Sequence, residues 1–127
     1  MSADSTRISR SADFARTLDK GVRVSAHDVV IHIAPVPQDF PDSTGIREDV
    51  SLHGGPWLGL IVSKKVGNAV VRHRVARRLR HAFAASKDAL PTPESYVVLR
   101  ARPSAAGCSS ADLAEQLRRG FGRGKRA

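Results

Sequence analysis

Residues 59–83 read GLIVSKKVGNAVVRHRVARRLRHAF, and this stretch decides the fold of the chain. It opens at residues 60–62 with an apolar run that contains β-branched side chains, which is typical of a strand. Residues 64–67, with two lysines and a glycine, interrupt the apolar pattern and indicate a turn. Asn68 can cap a helix that starts at Ala69, because its side-chain oxygen can accept from one of the first backbone N–H groups. The stretch therefore predicts a strand, a turn and a helix.

The predicted helix has one apolar face and one basic face. At about 100° per residue, a single stripe collects the residues that must be buried against a sheet, namely Val71, Val75, Leu79, Ala82 and Phe83. The opposite face carries His73, Arg74, Arg77, Arg80 and His81. Arg72 and Arg78 fall at the margins, where an arginine can lay its stem on apolar surface and keep its charge in water.

The basic face has no local carboxylate partners. No Asp or Glu occurs from Ser51 through Lys87, so like charges at i, i+3 and i+4 repel by about 0.2–0.5 kcal/mol per pair. A solvated helix face is the plain alternative, but such faces usually mix both signs of charge. The pattern therefore favours the binding of a polyanion.

The whole chain is basic and of single-domain size. It has 127 residues, of which 41% are hydrophobic, and a formal net charge of +9, which suits nucleic acid or an anionic membrane surface as partner. No run of about 20 apolar residues could span a membrane, and the N-terminus lacks the apolar stretch of a signal peptide, so we expect a cytoplasmic protein. The single cysteine, Cys108, excludes an internal disulfide and is more often an incidental small residue than a nucleophile.

The other segments complete an α+β order. A first helix carries Phe14 and Leu18, with Ser11 as its cap and Gly21 as its stop. Strands at 22–25 and 29–34, a proline-rich loop at 35–56 and a buried strand at 95–101 surround the stretch described above. The last helix opens at Ser109 or Ser110, buries Leu113, Leu117 and Phe121, and ends at Gly120, Gly122 and Gly124.

These patterns predict one α+β domain over residues 1–127 in the order α-β-β-β-α-β-α, with a mixed sheet of about four strands packed with three helices. We expect residues 1–6 and 122–127 to be flexible and residues 35–56 to form a long loop.

Residues 63–80, SKKVGNAVVRHRVARRLR, closely resemble the signature of the bacterial ribonuclease P protein family. The hallmark of that family is an Arg-Asn-Arg tripeptide on a basic helix. Here His73 takes the middle position, where neutral imidazole can also donate and accept one hydrogen bond. The resemblance covers about residues 7–121 and implies the ribosomal protein S5 domain 2-like fold, with a left-handed strand-helix-strand crossover, although right-handed crossovers are the rule.

The resemblance also implies two regions that contact RNA. The residues that match motif positions for RNA contact are Lys64, Lys65, Asn68, Arg72, His73, Arg74, Arg77, Arg78 and Arg80. A cleft for the single-stranded 5′ leader of precursor tRNA is implied at Phe14, Leu18 and His32. From the residues alone, Phe14 and Leu18 are more simply core positions and His32 is more simply a rim or satisfied core histidine, so both interpretations stay open.

The sequence suggests binding rather than autonomous cleavage. Its twelve carboxylates lie mainly outside the basic stretch, and no paired-carboxylate or His-x-x-x-His pattern could hold catalytic metal. By resemblance, an RNA subunit holds most of the magnesium and removes the leader, while the protein binds that RNA and the precursor tRNA. A ribosomal or architectural RNA-binding protein with no role in cleavage is the alternative from another class.

Overall fold

The computed structural model describes residue 8 and residues 11–35, 56–90 and 95–126. Its helices and strands are α1 (Ser11–Lys20), β1 (Val22–Ser25), β2 (Val29–Pro35), β3 (Trp57–Ile61), α2 (Ala69–Ser86), β4 (Ser95–Ala101) and α3 (Ser110–Arg126). Short 3-10 helices at Lys87–Ala89 and Pro103–Gly107 flank β4. The predicted α+β class and element order are confirmed.

The strands form one mixed sheet in the order β1-β2-β4-β3. β1 pairs with β2 and β2 with β4 in antiparallel fashion, whereas β3 and β4 are parallel. Parallel neighbours need a crossover connection, and α2 supplies it, so the basic helix joins the edge strand β3 to its neighbour β4. The predicted left hand of this crossover stays a prediction.

One face of the sheet carries the main core. The sheet supplies Val24, Ile31, Leu58, Val97 and Leu99, and the helices supply Val75, Leu79, Phe83, Leu113, Leu117 and Phe121. Phe83 of α2 and Phe121 of α3 meet edge to face with their ring centroids 6.3 Å apart. Each of these large side chains contributes about 1.5–3 kcal/mol by leaving water. The predicted apolar stripes of α2 and α3 are therefore confirmed, and they orient the basic side of α2 outward.

The other face of the sheet is covered by α1, and we call it the α1 face. Trp57 and Tyr96 stack there with ring centroids 5.5 Å apart. The Tyr96 hydroxyl donates to Asp13 Oδ2 at 3.3 Å, which ties α1 to β4. The Gly21 N–H donates to the Thr17 carbonyl at 3.0 Å, and α1 ends there as predicted.

The predicted end of α3 at its glycines is wrong. The helix runs through Gly120, Gly122 and Gly124 to Arg126, although a helical glycine costs about 1 kcal/mol relative to alanine. At Gly120 the cost is offset by packing, because a Cβ there would collide with the side chain of Ile31 in the sheet. The flexibility predicted for residues 122–127 stays a prediction.

The start of α3 follows the prediction, with Ser109 as the cap. Its Oγ accepts from the Asp112 N–H at 3.0 Å, and Asp112 Oδ2 accepts from the Ser109 N–H at 3.3 Å, a reciprocal capping box. The Ser11 cap and the loop between Pro35 and Pro56 lie outside the described side chains and residues, as does the segment 1–6.

Candidate nucleic-acid interface

The N-terminal end of α2 is built by a tight turn and a cap. The Val66 and Gly67 N–H groups donate to the carbonyls of Ser63 and Lys64. Gly67 has φ of 157°, a backbone conformation that side chains rarely adopt. Asn68 then accepts from the Val71 N–H through Oδ1 at 3.0 Å, and the helix begins at Ala69 as predicted. This turn exposes Lys64 and Lys65 beside the first turn of α2.

The basic face of α2 points to solvent. His73, Arg77, Arg80 and His81 are exposed, and Arg74 is half-buried. The ion pairs among the described residues lie within α1, at the β1–β2 turn and within α3, and none of them involves a cation of α2. The structure therefore brings the predicted RNA-contacting residues onto one uncompensated cationic surface, which we call the basic face.

Arg72 and Arg78 lie at the margins of the basic face, as predicted, and both are anchored to the fold. Arg72 Nε donates to the Val62 carbonyl at 3.1 Å, just after β3. One terminal nitrogen of Arg78 donates to the Cys108 carbonyl at 2.8 Å, just before α3. These bonds fix two positive charges at defined places on either side of the helix, so less side-chain entropy is lost when a ligand binds them.

Two shallow depressions flank His73 at the start of the basic face. The larger, about 390 Å³, is lined by Ala69, Val70, His73, Arg74 and Arg77. The smaller, about 190 Å³, is lined by Val62, Ala69, Arg72 and His73. The Arg74 Nε is buried and has no hydrogen-bond partner within the described part of the chain. Cationic rims around an apolar floor suit a nucleotide, which presents phosphates and flat rings together.

The α1 face of the sheet brings the predicted cleft residues together. Strand alternation and pairing place His32, Val98 and Gly59 in one row across β2, β4 and β3. The Phe14 ring of α1 lies directly on Gly59, since a Cβ there would be 2.5 Å from Phe14 Cε2. Phe14 and Leu18 are both half-buried. Phe14 therefore packs on Gly59, as a core residue would, and is also partly accessible to solvent, as a residue of the leader cleft would be.

His32 is buried in this row and lacks a hydrogen bond at Nδ1 within the described part of the chain. Burial lowers its pKa below the ordinary value, and the positive charges of Arg100 and Arg23 lower it further. The imidazole is therefore neutral near pH 7, with a flat ring and an unused polar atom. It is neither the satisfied core histidine nor the solvated rim histidine that the sequence suggested as alternatives.

The similarity of this chain to known proteins extends over most of its length. The family model for ribonuclease P matches residues 3–125. The chain is 45% identical over 123 residues to the ribonuclease P protein component of Nocardia farcinica, covering 91% of this chain and 78% of that protein. It is 46% identical over 122 residues to the component of Mycobacteroides abscessus, covering 94% and 87%. This chain belongs to the ribonuclease P protein family.

Solved structures agree with this assignment. The ribonuclease P protein of Staphylococcus aureus superposes with a TM-score of 0.70 at 25% identity, covering 94% of this chain and 95% of that one. The Thermotoga maritima protein superposes with a TM-score of 0.67 at 18% identity, covering 92% and 96%, which shows the shared fold. The chain is thus the protein subunit of ribonuclease P, a tRNA-processing endonuclease that works with ribonuclease P RNA.

This ribonuclease P protein contains one buried polar cluster that was not predicted from the sequence. Asp28 exchanges two hydrogen bonds with Gln116, at 2.8 and 2.7 Å, and accepts from the Cys108 thiol at 3.0 Å. Burial raises the pKa of Asp28, but hydrogen bonds from Ser104, Cys108, Gln116 and His27 outweigh it and hold the pKa well below its usual range. This Asp28 cluster joins the β1–β2 turn to the start of α3.

The same cluster explains the lone cysteine. Burial, followed by the hydrogen bond and negative charge of Asp28, raises the pKa of the Cys108 thiol to about 11. The thiol therefore stays protonated near neutral pH and is a poor nucleophile. Its backbone carbonyl accepts a hydrogen bond from Arg78 at the margin of the basic face. The role of Cys108 is therefore structural.

The described residues also bear on metals and membranes. Among residue 8 and residues 11–35, 56–90 and 95–126, no group of three or more His, Cys, Asp and Glu is placed to hold a metal ion. None of the helices in the described part of the chain is long and apolar enough to cross a membrane.

Proposed function

We propose that this subunit binds the catalytic RNA of ribonuclease P through the basic face of α2 and binds the single-stranded 5′ leader of precursor tRNA on the α1 face. The holoenzyme then removes the leader endonucleolytically in the cytoplasm and leaves the mature 5′ end of the tRNA. The observation that carries the proposal is the row of cations on α2 without any described carboxylate partner. Such a surface repels itself until a polyanion supplies the opposite charge.

The two surfaces suit different RNA features. The basic face has fixed guanidinium groups at both margins, and such groups bind phosphates in defined positions. The α1 face instead presents the half-buried Phe14 ring beside the row that contains the neutral His32, and unpaired bases can stack on the accessible part of such a ring. Binding energy from a part of the substrate remote from the scissile bond can be used to favour the transition state.

The chemistry of cleavage belongs, in the same proposal, to the RNA subunit. Hydrolysis of a phosphodiester with magnesium needs anionic oxygen ligands around the metal, and the basic face would repel a divalent cation. RNA phosphates supply such oxygens. We therefore propose that the magnesium ions are held mainly by the RNA subunit, while the protein lowers the repulsion between two large polyanions and so reduces the magnesium that the reaction needs.

A reconstitution experiment tests this division of labour. Precursor tRNA is incubated with a bacterial ribonuclease P RNA over a magnesium series, with and without the protein, and with the protein alone. We expect the protein to shift cleavage to lower magnesium and to cleave nothing by itself. Specific 5′ cleavage that co-purifies with the protein alone would place catalysis in the protein, and an unchanged magnesium requirement would contradict the proposed assistance.

A matched set of variants tests the basic face. Arg77→Ala should weaken binding to the RNA subunit and lower the salt dependence of binding by roughly one counterion per lost phosphate contact, with little change in stability. Val75→Ala on the buried side should instead lower the free energy of unfolding by about 1 to 3 kcal/mol and spare affinity. Arg119→Ala, an exposed arginine of α3 already paired with Glu115, is the control. If Arg77→Ala unfolds the protein and keeps its affinity, the two faces are assigned backwards.

A further inference from the structure

Two arginines outside the basic helix share the α1 face with His32. Arg23 of β1 lies opposite His32. Arg100 of β4 lies opposite Val30, and it follows Val98 by two residues, so the two side chains are on the same face of the sheet. Both arginines are exposed. Within the residues that the structure describes, neither one forms an ion pair with a carboxylate. The sheet thus presents two uncompensated cations on a surface that the basic helix does not explain.

The two charges converge on one point of that surface. Both Arg100 and Arg23 lower the pKa of His32 through their positive charge, so both guanidinium groups lie within electrostatic reach of the same ring. The β1 and β4 strands are the two neighbours of β2, and strands lie about 4.8 Å apart. The arginines therefore flank His32 from opposite sides.

This cationic pair is continuous with both proposed RNA surfaces. In one direction the row of His32, Val98 and Gly59 leads to the Phe14 ring. In the other direction Arg100 pairs with Ile61, the last residue of β3. The next carbonyl along the chain, that of Val62, accepts from Arg72 at the margin of the basic face. A strand of RNA that reached the cleft from the basic face would pass over Arg100.

We propose that Arg23 and Arg100, exposed on either side of the buried His32, form a phosphate-binding site for the single-stranded leader, whose phosphates contact the two arginines and whose bases lie toward the half-buried Phe14 ring. This inference rests on the proposed leader-binding function and extends it to residues outside the motif. A single strand fits because its unstacked bases can reach the half-buried Phe14 ring while its phosphates reach the two exposed arginines. A duplex keeps its bases stacked inside and could not place one on that ring.

The test uses the holoenzyme reconstituted with a bacterial ribonuclease P RNA and a series of precursor tRNAs whose leaders lengthen one nucleotide at a time. In the wild-type enzyme, affinity should rise as the leader reaches the arginines. Arg100→Ala and Arg23→Ala should each remove part of that rise, about 3- to 10-fold in Kd, and lower the salt dependence by about 0.7 per lost contact with a single strand. Arg100→Lys should keep most of the salt dependence, since it keeps the charge.

The controls separate this inference from the proposed function. Mature tRNA and the RNA subunit alone should bind every variant as they bind the wild type, and Arg119→Ala should behave as the wild type throughout. If the wild-type enzyme shows the leader-dependent rise and both alanine variants keep it, the arginine site is wrong and the leader cleft stands. If the variants weaken binding of mature tRNA or of the RNA subunit equally, the site serves that RNA and not the leader. If the wild type gains nothing from the leader, the proposed function itself fails.

Discussion

Replacing Gly59 by alanine should dislodge the Phe14 ring from the sheet and so test how the leader cleft is built. The added Cβ would lie 2.5 Å from Phe14 Cε2 and 2.9 Å from Cδ2, whereas carbon atoms in good contact are about 3.5–4.0 Å apart. The ring must therefore move by about 1 Å, which α1 can allow only by loosening its contact with β3 and β4.

The size of the effect follows from two opposing terms. Overpacking of this kind lowers the free energy of unfolding by about 1–3 kcal/mol. Replacing glycine also reduces the conformational freedom of the unfolded chain, which raises the free energy of unfolding by about 0.4–1 kcal/mol. Gly59→Ala alone should thus lower the free energy of unfolding by about 1–2 kcal/mol. In a Phe14→Ala background the clash is gone, so the same change should be neutral or slightly stabilising. The coupling between the two sites should equal the overpacking cost, about 1–3 kcal/mol.

Urea unfolding of the four proteins measures this coupling, and Trp57, the only tryptophan, reports it by fluorescence because it stacks on the same face of the sheet. Gly107→Ala is the control, since no atom lies within 4 Å of a Cβ there. Changes that add to within about 0.5 kcal/mol would refute the contact. In parallel, Gly59→Ala should weaken binding of precursor tRNA more than of mature tRNA. An equal loss toward both RNAs would make Phe14 a core residue only.

Three further changes test the scaffold. Gly21→Ala should lower the free energy of unfolding by about 1–3 kcal/mol in a urea titration, because its Cβ would lie 2.5 and 2.8 Å from two backbone carbonyl oxygens that cannot move aside; a neutral result would contradict that close approach. Asn68→Ala should cost about 1 kcal/mol through the lost cap of α2, and Asn68→Gly less, which separates the cap from a direct role in RNA affinity. Asp28 has a lowered pKa in the folded protein, so its stabilisation is complete above its unfolded pKa of about 4 and is lost as the pH falls below that value. The free energy of unfolding of the wild type should therefore decrease more steeply from pH 4 downward than that of Asp28→Asn, and parallel curves would show that the carboxylate adds nothing.

The sequence by itself determined the elements and the orientation of α2. The Asn68 cap, the 3.6-residue period of Val75, Leu79 and Phe83, and the run of cations opposite them are local properties of consecutive residues. They fix which side of the helix is buried, and the buried side is the one predicted. The same local reasoning predicted the wrong end for α3. Gly120 is needed there because a Cβ would collide with Ile31, which is far away in the chain.

Only the tertiary structure decided which residues share a surface. Phe14, His32 and Gly59 come from α1, β2 and β3, and the register that aligns them depends on β4, which is last of the strands in the chain. The alternation of side chains along a strand shows which residues share a face of the sheet, but it does not show which of the two faces packs against α1. Arg23 and Arg100 were missed for that reason: as single arginines in separate strands they carry no local signal, and their common action on His32 exists only once β1 and β4 flank β2.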